Sequence, residues 1–126
     1  MGEIRNHRDL IAWQRARALV KETYSLTQAF PREEQFGLSA QMRRAAVSVP
    51  SNIAEGFGRG TSADFLRFLR MARGSLMELD TQKVLSEDLG FADTTSRFHD
   101  LCSETDRVRQ GLIRSIEEKV QAPDDR

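Results

Sequence analysis

The sequence predicts an all-α protein, an antiparallel up-down-up-down four-helix bundle, on three observations. Apolar residues recur at three- and four-residue spacing through four separate stretches. Between them lie short clusters of Gly, Pro, Ser and Thr, and such short connections force consecutive helices to lie side by side. Seven Phe, one Trp, one Tyr and three Pro are too few strand and turn formers for a β-sandwich.

Helix 1 is expected over about residues 8–28, where Leu10, Trp13, Ala16, Val20 and Tyr24 make one stripe, Asp9 stands near the start and Phe30-Pro31 marks the end. Helix 2 is expected over about 33–57, opened by Glu33 and Glu34 at the positive end of the helix dipole. Its stripe is Leu38, Met42, Ala45, Val49 and Ile53. Pro50 interrupts that stripe without changing its phase, which predicts a kinked continuous helix, with Ser48, Ser51 or water satisfying the freed carbonyl. Helix 3, over about 62–89, is capped by Thr61 or Ser62, carries Phe65, Leu69, Ala72, Leu76 and Leu79 in coiled-coil spacing, and stops at a left-handed Gly90. Helix 4, over about 94–120, opens at Asp93-Thr94-Thr95-Ser96 and presents Phe98, Leu101, Thr105, Val108, Leu112, Ile116 and Val120. Residues 123–126 should fray, and the whole chain makes one domain over 1–126.

Composition narrows the function. The 126 residues are 39% apolar and 30% charged, with 19 basic and 19 acidic side chains, as in a soluble globular domain. Residues 1–80 hold 12 basic and 9 acidic groups and residues 81–126 hold 7 and 10, so the halves carry +3 and −3. No apolar run reaches the roughly 18 residues of a membrane span, and a lone cysteine, Cys102, cannot form an internal disulfide. The charged start Met1-Gly2-Glu3-Ile4-Arg5 is unlike a secretory leader, so a cytoplasmic location is expected.

No motif points to an enzyme, a cofactor or a metal. The two histidines, His7 and His99, lack the Glu-x-x-His pattern of bundle metal sites, and His99 with Cys102 offers two ligands without a third. Ser75 in Arg73-Gly74-Ser75-Leu76 is no nucleophile elbow, and Gly74 and Ser75 are read as small residues that let helices approach. Gly56-Phe57-Gly58-Arg59-Gly60 ends a helix where a phosphate loop would begin one.

Arginine is more informative, outnumbering lysine sixteen to three. Arg43 and Arg44 fall in helix 2, Arg59 follows it, and Arg67, Arg70 and Arg73 climb helix 3. Forked guanidinium groups suit phosphate, which makes Arg43, Arg59, Arg67, Arg70 and Arg73 candidates for nucleic-acid contact. The same groups can make salt bridges between subunits, with Glu55, Asp64 and Glu78 close in sequence. Arg44, Ser48, Asn52 and Glu55 are expected to form a structural polar cluster, and Asn52 to find a partner across a helix interface. Helix 3 also offers Leu66, Phe68, Met71 and Met77 beside its stripe, a surplus that predicts a homo-oligomer.

The run Gln41-Met42-Arg43-Arg44-Ala45-Ala46-Val47-Ser48-Val49-Pro50-Ser51-Asn52-Ile53-Ala54-Glu55-Gly56 closely resembles the hallmark of the four-helix-bundle family named for proteins encoded by intervening sequences in bacterial 23S rRNA genes. The likeness extends to Asp9-Leu10 with Trp13-Gln14, to Phe30-Pro31-Arg32-Glu33-Glu34, and to Phe65-Leu66-Arg67-Phe68-Leu69 with Ala72-Arg73-Gly74-Ser75-Leu76-Met77-Glu78-Leu79, covering about residues 8 to 91. The resemblance implies a subunit commonly assembled as a ring of five, without catalytic residues. That family is similar to the basic pentameric accessory protein of diversity-generating retroelements, which binds nucleic acid and partners a reverse transcriptase. This chain differs in being neutral, with a pI near 6.7. Two functions therefore stay open: an RNA- or DNA-binding accessory protein, and a scaffold whose partner is another polypeptide.

Overall fold

In the computed structural model, which describes residues 3–94 and 96–121, four helices pack as a bundle: α1 Ile11–Thr27, α2 Leu38–Gly58, α3 Ser62–Asp88 and α4 Ser96–Gln121. The expected fraying of 123–126 falls outside the described residues, as does Thr95 of the stretch expected to open helix 4. Cross-helix pairs run in opposite senses along neighbours, as antiparallel packing requires. Arg15 meets Glu104 while Glu22 meets Arg97, and Asp80 meets His99 while Arg70 meets Glu117. Each helix packs on two others, α1 on α2 and α4, α3 on α2 and α4.

Two helix starts lie later than the sequence pattern suggests. Before α1, residues His7–Asp9 make a 3-10 turn closed by a capping box. Asn6 Oδ1 accepts from the Arg8 N–H at 2.8 Å, and Asp9 Oδ2 accepts from the N–H groups of Arg5 and Asn6 at 2.8 and 3.2 Å. Asp9 is thus spent on that turn, the chain extends at Leu10, and α1 begins at Ile11 instead of about residue 8. Before α2, Pro31 leads into a second 3-10 turn, Arg32–Glu34, and Gly37 leaves helical geometry, so α2 begins at Leu38 and not near Glu33. Glu34 still serves the helix start from outside it, since its Oε1 accepts from the Leu38 N–H at 3.3 Å.

Helix α3 starts and stops as its residues dictate. Thr61 Oγ1 accepts from the Asp64 N–H at 3.2 Å. Beyond Asp88, Gly90 takes φ +77 and the Phe91 N–H reaches back to the Ser86 carbonyl at 2.8 Å, a left-handed termination.

Pro50 sits inside an unbroken α2. Ser48 Oγ donates to the Ala45 carbonyl at 2.8 Å and lies 2.5 Å from Ser75 Oγ across the α2–α3 seam, while Ser51 is exposed. Neither serine bonds the Ala46 carbonyl that lacks the Pro50 N–H. Asn52 donates to the Ser48 carbonyl at 2.8 Å, one turn back on its own helix, and not across an interface as expected. A half-buried amide that reaches a backbone acceptor locally needs no partner from another helix.

The core joins Leu10, Leu19, Met42, Val49, Ile53, Leu69, Leu76, Leu79, Phe98 and Ile116 with small residues at the seams. On α2 and α3 it follows the expected stripes. On α1 it is turned by about one residue: the buried line is Ala12, Ala16, Leu19, Thr23 and Thr27, while Trp13 and Val20 are half-buried and Tyr24 is exposed. Thr23 and Thr27 donate to the Leu19 and Thr23 carbonyls, both at 2.8 Å, so hydroxyls that read as surface are satisfied inside. Phe68 also joins the interior, whereas Met71 and Met77 stay exposed.

Among the glycines of the described residues, the tightest packing against another helix falls at Gly56. A Cβ there would stand 2.6 Å from Phe68 Cβ and 3.4 Å from Phe65 Cα. Gly74, expected to serve that purpose, has nothing within 4 Å. Its helix position faces outward, where no neighbour within the subunit demands a small residue.

Candidate nucleic-acid interface

The arginines singled out by sequence divide into three settings. Arg43 is half-buried and pinned to α1: its guanidinium lies 4.5 Å from the Tyr24 ring centroid and its Nε donates to Thr27 Oγ1 at 2.9 Å. Arg59 and Arg67 both stack against Phe68, at 5.1 and 4.7 Å. Each is also paired one turn away, Arg59 with Glu55 at 2.9 Å and Arg67 with Asp64 at 3.4 Å. These exposed pairs contribute little energy, but with the ring they hold both guanidinium groups near the α2–α3 connection.

Arg70 and Arg73 border a cleft of about 460 Å³ between α3 and α4, completed by Arg109, Gln110, Ile113 and Arg114. Arg70 reaches Glu117 at 3.7 Å. Arg73 and Arg114 are exposed and form no ion pair among the described residues. Arg109 lies beneath, its side chain only 3% exposed, with Nε and Nη2 donating to Asp106 Oδ1 at 3.1 and 2.9 Å and Nη1 to the Leu69 carbonyl at 3.4 Å. A buried guanidinium of this kind requires its carboxylate, and the bond from Arg109 to the Leu69 carbonyl ties α4 to the α3 backbone. Arg109 and Arg114 were not singled out from the sequence, because their positions in α4 become neighbours of Arg70 and Arg73 only when α3 and α4 dock.

Arg44, Ser48, Asn52 and Glu55 do not meet as one cluster within the subunit. Arg44 is exposed and makes no hydrogen bond or ion pair among the described residues, and Glu55 turns to Arg59. Ser48 and Asn52 alone are joined, through the Ser48 carbonyl.

A second polar constellation, unmarked in the sequence apart from His99 and Cys102, lies at the other end of the α3–α4 seam. Lys83 is fully buried; its Nζ donates to Glu87 Oε2 at 2.5 Å and to the Asp93 carbonyl at 2.9 Å. His99 stands between Glu87 (Nε2, 3.0 Å) and Asp80 (Nδ1, 3.1 Å). The hydrogen bonds from Lys83 and His99 hold the Glu87 carboxyl below the usual carboxylate range. A carboxylate so depressed contributes stability that is complete above its ordinary pKa and disappears as pH falls through the folded value. Acid titration of thermal stability should therefore show a loss below about pH 4 that Glu87→Gln reduces.

Cys102 is buried beside this network, and burial, with the Asp80 charge adding and Lys83 opposing, pushes its thiol up to about 12. At pH 8 a thiol reagent should attack native protein at least about a thousandfold more slowly than an unperturbed cysteine, and react fully once denaturant opens the bundle. Rapid labelling of the native protein would contradict that placement. Among the described residues no group of three or more His, Cys, Asp or Glu is placed to hold a metal ion, and no helix is long and apolar enough to cross a membrane.

Fold and surface together define a four-helix-bundle protein with six of its sixteen arginines at the α2–α3 connection and the α3–α4 cleft. The family model described as 23S rRNA-intervening sequence protein matches residues 8–114, and the chain belongs to that family. The match continues through most of α4, beyond the stretch whose residues are recognisable by motif. No curated protein matches the chain.

Proposed function

We propose that this protein is a non-enzymatic, cytoplasmic RNA- or DNA-binding accessory protein that acts as a homo-oligomer, a pentamer, through arginine–phosphate contacts. The observation that carries the reading is the convergence of Arg70 and Arg73 from α3 with Arg109 and Arg114 from α4 on one cleft. Local potential governs phosphate binding more than net charge does, so a chain of formal charge +0 can still present a basic surface. Symmetric assembly repeats that surface once per subunit. Support for assembly comes from apolar side chains left in solvent: Met71, Met77, Val84 and Leu85 along α3, and Phe36, 89% exposed, between α1 and α2.

The scaffold reading draws on a different observation, the neutralisation of Arg59 by Glu55 and of Arg67 by Asp64 within the subunit. A salt titration of binding to structured RNA separates the two. The nucleic-acid reading expects affinity that falls linearly with log salt, little dependence on sequence, and a loss in Arg67→Glu/Arg70→Glu at unchanged oligomeric mass. Equal binding by both proteins, or no binding at low salt, favours the scaffold with a polypeptide partner. Light scattering that returned the monomer mass of 14.3 kDa would remove the oligomer from both readings.

A further inference from the structure

We infer that the α3–α4 cleft seats a backbone phosphodiester of a nucleic-acid strand, with Arg73 and Arg114 as its two direct donors and Arg109 as the positioning group beneath them. The inference rests on the nucleic-acid reading above and assigns the contact to particular residues, two of them on α4.

Charge accounting favours an anion here. Arg70, Arg73, Arg109 and Arg114 bring four positive charges, and the carboxylates that engage them, Asp106 and Glu117, bring two negative ones, a surplus of 4 − 2 = 2. Asp106 is committed to Arg109 and Glu117 reaches only Arg70, at 3.7 Å. The surplus therefore falls on Arg73 and Arg114, the two lining guanidinium groups without an acidic partner among the described residues. They come from opposite walls of the cleft, so an anion between them accepts from both, and the concave low-dielectric wall strengthens the attraction relative to a flat surface.

Arg109 makes the seat geometrically defined. Its three hydrogen bonds, to Asp106 Oδ1 and the Leu69 carbonyl, use three of the five N–H donors of a guanidinium, and its side chain is almost wholly buried. It cannot swing out to follow a ligand. It fixes the spacing of α3 and α4, and with it the separation of the Arg73 and Arg114 backbones.

The lining also decides what is read. Besides the arginines it holds only Gln110 and Ile113, and Gln110 Nε2 already donates to Asp106 Oδ2 at 2.9 Å. With no aromatic ring for a base to stack on, the seat takes the backbone and is indifferent to the base.

The test measures anisotropy of a fluorescent single-stranded oligouridylate with the full-length protein, across a salt series. Wild type is compared with Arg73→Gln, Arg114→Gln, the double variant, and Arg8→Gln as an arginine outside the cleft; circular dichroism confirms that each is folded. Each single variant should make the log–log salt slope shallower by about 1, and the double variant should bind at least about tenfold more weakly at low salt, with Arg8→Gln unchanged. An oligoadenylate should give the same pattern. If the oligonucleotide binds wild type and the double variant alike, the seat is overturned while nucleic-acid binding stands. If inorganic pyrophosphate binds in a manner that depends on Arg73 and Arg114 but neither oligonucleotide binds, the cleft serves free phosphate and the strand assignment is overturned. Absence of binding by all three probes at low salt overturns the seat, and the nucleic-acid reading falls with it only if structured RNA also fails to bind at low salt.

Discussion

Replacing Lys83 with alanine should lower unfolding stability by about 3–5 kcal/mol. Lys83 is fully buried, and its ammonium group is held by the Glu87 carboxylate at 2.5 Å and the Asp93 carbonyl at 2.9 Å. Truncation leaves a cavity in the α3–α4 seam and strips Glu87 of its shortest hydrogen bond. Lys83→Met separates these effects, since methionine fills the space without supplying a charge. Urea unfolding should show Met recovering part of the loss. The acid-linked loss of stability should shrink in both variants, because the Lys83 hydrogen bond is the largest cause of the depressed Glu87 pKa. Unchanged stability in both variants would mean that the ammonium group is not held at this position.

The second large effect is expected at Gly56. An alanine there favours the helical state of α2 by about 1 kcal/mol, yet its methyl would stand 2.6 Å from Phe68 Cβ, an atom tied to the α3 backbone. Relief requires α2 and α3 to part, and overpacking of that kind costs about 1–3 kcal/mol before any propensity gain. Net destabilisation of up to about 2 kcal/mol, with a melting temperature lower by up to about 10 °C, is the expected outcome. Gly58→Ala is the control: it lies on the same helix with nothing within 4 Å, so the entropy term acts alone and stability should hold or rise by up to about 1 kcal/mol. Calorimetry in which both substitutions stabilise would show that the α2–α3 seam tolerates the methyl.

These two residues illustrate what a linear pattern hides. Gly56 belongs to a run of glycines, Gly56, Gly58 and Gly60, that reads as one helix exit. In three dimensions their roles diverge, with Gly56 in contact with Phe68, Gly58 open to solvent and Gly60 at φ +84 in the turn before Thr61. Lys83 is no part of the apolar stripe expected along α3, and nothing in its residue type marks it as buried. It is buried because the stripe of α3 ends in Gln82, Lys83 and Ser86, polar side chains that the seam admits where hydrogen-bond acceptors from α3 itself and from the segment before α4 are available.

The arginines follow the same rule. Five are legible as a group because they recur in one sequence window, and two of them meet partners that sequence can name, Arg59 with Glu55 and Arg67 with Asp64 along a helix, whereas Arg70 reaches Glu117 on α4. The stacking of Arg43 on Tyr24, its hydrogen bond to Thr27 sixteen residues back, and the placement of Arg73 and Arg114 on one cleft are tertiary facts.

What the sequence by itself determined is the count of helices, the stripes of α2 and α3, the Thr61 and Gly90 boundaries and the family, because helical period, capping chemistry and left-handed glycine act over a few residues. Only the tertiary structure decided which face of α1 turns inward, where α1 and α2 begin, and which charges are buried. Those outcomes depend on competition between contacts within a turn and contacts to groups distant in sequence. Thr23 enters the core because its hydroxyl finds a carbonyl one turn back, which leaves Tyr24 at the rim to stack on Arg43. Asp9 is drawn to the backbone N–H groups of Arg5 and Asn6 ahead of α1, and Glu34, from outside α2, to the N–H of its first residue, Leu38. Arg109 goes inside because Asp106 and the Leu69 carbonyl together meet its charge and donors, and no spacing within α4 announces that a carbonyl of α3 will be there.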